Sequence, residues 1–122
     1  MDAKELEAHR AGLLETMRSA FPNGQYDEVL GAFEALGEPR SIRSGIRVEA
    51  IAIAARVKIA QGDKAAARQL LKQVWNAPLK NHRLCRHVAI ASLEMGEYRH
   101  ALSLVERAAS LAEQAKEVVQ DQ

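Results

Sequence analysis

Three times along this 122-residue chain a glycine interrupts a run of helix-forming residues, and the run restarts at once. The segments are Asn23-Gly24-Gln25-Tyr26-Asp27-Glu28-Val29-Leu30, Gln61-Gly62-Asp63-Lys64-Ala65-Ala66-Ala67-Arg68 and Met95-Gly96-Glu97-Tyr98-Arg99-His100-Ala101-Leu102. The glycines are 38 and 34 residues apart. A helix that must stop, reverse and restart antiparallel within a few residues needs one residue in the left-handed backbone region, and Gly reaches it at little steric cost. Asp63 or Glu97, directly after its Gly, is placed to accept from free N–H groups or to favour the positive end of the next helix. Three such reversals point to a stack of antiparallel helix pairs rather than to a sheet.

Apolar periodicity then marks six helices. The first runs from about Ala3 to Ala20 with Leu6, Leu13, Leu14 and Met17 on one broad face, and Asp2 with Glu5 resembles a capping box. The second, about Tyr26 to Leu36, offers Val29, Leu30 and Phe33 and stops at Gly37 with Pro39 beyond. The third, about Ile42 to Gln61, is apolar on two sides. Ile46, Ala50, Ile53 and Val57 form one stripe, and Val48, Ile51, Ala55 and Ile59 the other. A helix of that kind packs on both sides, as the middle of a stack must. The fourth spans about Lys64 to Asn76, the fifth about Asn81 to Met95, and the sixth runs from Tyr98 to about Val119. Val48–Ile59 also alternates in places like a strand, but its alanines and the lack of flanking turn signals favour helix. The Ala- and Leu-rich composition, with only 4% aromatic residues, points the same way. The expected fold is therefore all-α, an α-α superhelix of three stacked antiparallel helix pairs in one domain over 1–122, with repeats at about 3–37, 42–76 and 81–119.

The pattern resembles the tetratricopeptide repeat, whose period is 34 residues. Ala67 and Leu71, Ala101 and Val105, and Val29 and Phe33 stand where the family's second helix carries Ala and, four residues on, Phe. Tyr26 and Tyr98 follow their glycines by two residues, where the family often has Tyr, and Pro39 and Pro78 close the first two repeats. The first helices depart from the pattern, because Leu13, Ile51 and Cys85 replace the family's Trp. Ala55 and Ala89 keep a small residue where its Gly would lie.

What the resemblance implies is a concave groove lined by the first helix of each pair, a surface that takes a peptide or a helix in that family. It directs Arg18, Glu49, Ala52, Arg56, Arg83, Arg86 and Ile90 into that groove. The four arginines would form a ladder reading carboxylates on an acidic partner; the alternative is that they are solvated arginines on ordinary helix faces. Leu14, Ala52 and Ile90 replace the Asn and Lys of the family's carboxylate clamps, so a standard clamp is not indicated. A second candidate surface is the last helix, where Ala101, Leu104, Ala108, Leu111, Ala115 and Val118 recur in steps of three and four. Leu104 and Leu111 with Ala115 and Val118 would dock a partner or a second copy of the chain to give a homodimer, unless the stripe is simply core, the extra length folds back as its own cap, or its end frays. Trp75 is expected to wedge between repeats.

Sixteen acidic and seventeen basic residues leave a net charge of +1, so the excess that phosphate binding requires is missing and no nucleic-acid partner is expected. No segment approaches the roughly 20 apolar residues of a membrane span. The N-terminus is charged from its second residue, unlike a secretory leader, and a single cysteine, Cys85, fits a reducing compartment, so the expected location is cytoplasmic. His82, Cys85 and His87 suggest a metal site, but on a helix His87 lies about 140° around from His82, and Cys85 sits on a core stripe. No P-loop, dinucleotide fingerprint or paired carboxylates are evident, so no catalytic residue, metal or cofactor is expected. The function expected is that of a non-enzymatic adaptor or scaffold. A small secretion-type chaperone or assembly protein of a bacterial complex is the narrower alternative, on size and fold analogy. A helical-repeat RNA binder ranks behind both.

Overall fold

The computed structural model describes residues 1–38 and 41–120, with side chains as far as Lys116. It is an all-α superhelix of three antiparallel helix pairs: α1 (Ala3–Ala20) with α2 (Tyr26–Ala35), α3 (Ser44–Ala60) with α4 (Lys64–Trp75), and α5 (His82–Met95) with α6 (Tyr98–Gln120). The segment from Val48 to Ile59 lies wholly within α3. Pro39, expected to close the first repeat, lies outside the described residues.

The glycine turns repeat at the level of single hydrogen bonds. Gly24, Gly62 and Gly96 all adopt positive φ, between 72° and 86°. In each turn the Gly N–H donates three residues back, to the carbonyls of Phe21, Ile59 and Leu93. The following N–H donates five residues back, to those of Ala20, Lys58 and Ser92. The orphan carbonyls of three helix ends are satisfied in the same way. Helix starts are capped as well. Asp2 accepts from the Glu5 N–H at 2.8 Å, and Asp63 from that of Ala66 at 3.0 Å. Asn81, expected within its helix, is instead the N-cap, accepting from the Arg83 N–H at 2.7 Å.

Helix α3 joins the two halves of the core. Ala50, Ile53, Ala54 and Val57 are buried with Leu14, Met17 and Val29 of the first pair. Val48, Ile51, Ala52 and Ala55 are buried with Leu71, Val74, Cys85 and Val88. α3 packs on α1 and α5 as well as on α4, so the first helices of successive pairs form a continuous layer. α2 and α4 each also touch the first helix of the next pair.

Two connections reach into the core, which periodicity did not show. Ile42, 8% exposed, sits ahead of α3 rather than in it and packs with Leu14 and Leu36. Leu79 does the same between α4 and α5. Trp75 takes the wedge position: its ring stacks on His100 of α6 at 4.0 Å, and its Nε1–H donates to Ser92 Oγ of α5 at 2.9 Å. Among the described residues no helix is long and apolar enough to cross a membrane.

Candidate functional site

Because α1, α3 and α5 lie side by side, their exposed edges enclose a groove of about 620 Å³. Its floor is apolar, from Ala8, Ala11, Leu14, Ile46 and Leu84, and its rim carries Lys4, Glu7, Arg18, Arg43, Glu49, Asn81 and Arg83. Four of those rim groups are basic and two are carboxylates.

Glu49 is the fixed point of the groove. It is 5% exposed, and the Arg18 guanidinium grips it with two parallel bonds, Nε to Oε2 at 2.5 Å and Nη2 to Oε1 at 2.7 Å. Arg18 also reaches Glu15 at 3.1 Å. His87 of α5 lies near the same carboxylate, Nε2 3.7 Å from it, so one buried acid has a neighbour on the first helix of each other pair, with Arg18 as its bonded partner. The hydrogen bond from Arg18 holds the Glu49 carboxyl below the usual carboxylate range, against the opposing effect of burial. Burial pushes the His87 imidazole below its ordinary value; Glu49 works the other way, while Arg18, Arg83 and Arg56 reinforce the drop.

The structure separates the residues that the repeat pattern had grouped. Arg18, Glu49 and Arg83 line the groove together. Arg56 lies further along, where it donates to Glu94 at 2.6 Å and covers the Phe21 ring at 4.5 Å. Ala52 is 1% exposed and belongs to the core, because α3 is packed on both sides. Arg86 and Ile90 sit on another face of α5, where with Val105 and Ala109 they line a separate groove against α6. Arg83 and Arg86 are three residues apart and so about 60° apart around the helix, enough to divide them between two surfaces. The ladder is thus broken up: Arg18 and Arg56 are engaged by carboxylates of the same chain, whereas Arg83 makes no ion pair among the described residues.

On the last helix Leu104 is 3% exposed and buried with Ala108 in the core, and Leu111 packs against it. Ala115 is exposed, and the side chain of Val118 lies outside the described residues. His82, Cys85 and His87 diverge. Cys85 is fully buried and its thiol is pushed up by desolvation, His87 turns to Glu49, and His82 lines the α5/α6 groove. Among the described residues no three His, Cys, Asp or Glu side chains converge as a metal site would require.

The pairs linking successive hairpins went unread in the sequence: Arg18–Glu49, Glu7–Arg43, Arg56–Glu94 and Arg68–Glu97. The first three join residues 31, 36 and 38 apart. Opposite charges separated by about one repeat were the signal available. Comparison with protein-family models, with curated proteins and with solved structures returns no match.

Proposed function

We propose that this chain is a non-enzymatic interaction module of the tetratricopeptide type, acting in the cytoplasm, which holds an acidic segment of another protein in the α1/α3/α5 groove. The observation that carries this reading is the make-up of that groove. An apolar floor is bordered by more cations than carboxylates, and Lys4 and Arg83 make no ion pair among the described residues. A floor of Ala, Leu and Ile suits the apolar stripe of a helix or the alternate side chains of an extended peptide. Cations on its edge favour carboxylates flanking that stripe and speed their encounter. Arg18 is less available to a ligand, since its guanidinium already holds Glu49; its part is to shape the groove.

The test is fluorescence anisotropy with a labelled amphipathic peptide carrying a leucine stripe flanked by glutamates, beside the same peptide with lysines. The acidic probe should bind, and more weakly as salt rises. Combining Lys4→Glu with Arg83→Glu should weaken it about tenfold or more at unchanged helicity. Equal affinity for both peptides, or no effect of the double substitution, would remove the basis of this reading.

A further inference from the structure

Among the described residues seven large apolar side chains are exposed, and five of them, Ile90, Leu93, Tyr98, Leu102 and Val105, belong to the third helix pair. On α6, Tyr98, Leu102, Val105, Ala109 and Ala112 recur in steps of four and three, a stripe beside the buried one formed by Ala101, Leu104 and Ala108. Ile90 and Arg86 of α5 border it across a groove of about 490 Å³. This groove shares no lining residue with the one between α1, α3 and α5.

The repeat itself identifies the surface. Moving back 34 residues, the spacing of Gly62 and Gly96, turns Arg86 and Val105 into Ala52 and Leu71. Those two are 1% and 0% exposed, in the cluster that the third pair completes. The second pair is covered there, whereas Arg86 and Val105 of the third are exposed among the described residues. A stack whose last pair keeps an apolar outer face has a surface still to be buried.

Charge indicates what buries it. At the α5 side stand His82 and Arg86; at the α6 side, by helical spacing, stand Glu106 and Glu113. None of the four makes an ion pair among the described residues. Arg86 lines the groove together with Ala108 and Ala109, so it stands at a height between Glu106 and Glu113. A two-fold axis running along the helices lays α5 of one copy on α6 of the other without changing height. Each Arg86 then meets Glu106 and Glu113 of the facing copy, Ile90 meets Val105, and Leu93 meets Leu102. We propose that this face is the interface of a two-fold homodimer, in which α5 and α6 of both copies form a four-helix bundle. Isologous pairing makes each contact twice and buries the stripe, while leaving the α1/α3/α5 groove open.

Sedimentation equilibrium on the full chain tests this. At high micromolar concentration the wild type should show twice its chain mass of 13.4 kDa. Arg86→Glu alone, and Glu106→Arg with Glu113→Arg in a second variant, should each weaken the dimer about tenfold or more, with helicity retained. An equimolar mixture of the two variants should return to the dimer mass, because both edges of the mixed pair are again opposite in charge. Leu102→Glu should be monomeric. A wild type of single-chain mass at every concentration, a mixture that stays monomeric, or a mass that grows beyond the dimer would each overturn the proposal.

Discussion

Gly96 shows how a single residue carries the architecture. Its φ of 86° belongs to the left-handed region, and a Cβ built on it would meet no atom within 4 Å. Substitution is therefore opposed by backbone conformation alone. Gly96→Ala should cost about 1–2 kcal/mol and lower the thermal midpoint by several degrees, as calorimetry would show; an unchanged midpoint would mean that the turn tolerates any residue. Glu49 and His87 set the pH response. Both have folded-state pKa values below their ordinary ones, so the unfolded chain binds protons more readily. Stability is then complete above the unfolded value and is lost as pH falls through the folded one. His87 places the first loss below its ordinary value of 6.5, and Glu49 the second below 4.5. The urea midpoint followed against pH should decline in both windows, and His87→Asn should flatten the first while leaving the second. A wild-type midpoint constant from pH 7 to 5 would rule out this role for His87.

Among the elements, α3 is the one on which the two core clusters depend, and its two stripes make a quantitative test. Ile51 and Ile53 are 1% and 6% exposed, in different clusters on opposite sides of the helix. Ile51→Val and Ile53→Val should each cost about 0.5–1.5 kcal/mol. Phe33 and Leu70 pack against both clusters and are the side chains through which the two sites could couple. The double variant should therefore cost close to the sum of the two; a departure above about 0.5 kcal/mol in denaturant titration would show that the stripes do not pack independently. The two-sided pattern of α3 was legible in the sequence, as were the glycine turns, because both rest on local spacing and local backbone chemistry. The burial of Ile42 and Leu79 was not, since a connection has no period to betray which side it turns inward. The division of the arginines was hidden for a related reason. Whether Arg83 or Arg86 faces the groove depends on the rotation of α5 about its axis, and only packing against α3 and α6 sets that rotation.

In the whole molecule, the three first helices form a layer whose exposed edge is the α1/α3/α5 groove, where Arg18 of α1 grips Glu49 of α3 and His87 of α5 lies beside them. Much of the charge that looked available in the sequence is used to hold the hairpins against one another. Lys4 and Arg83 remain on the rim without an ion pair among the described residues, beside an apolar floor. The most direct measurement is a titration of the isotopically labelled protein with the acidic leucine-stripe peptide, followed by two-dimensional ¹H–¹⁵N NMR. Binding in the groove predicts that the largest shifts fall on Lys4, Ala11, Ile46 and Arg83, with the α2 backbone unmoved. Shifts centred on α2 and α4, or none at saturating peptide, would contradict it.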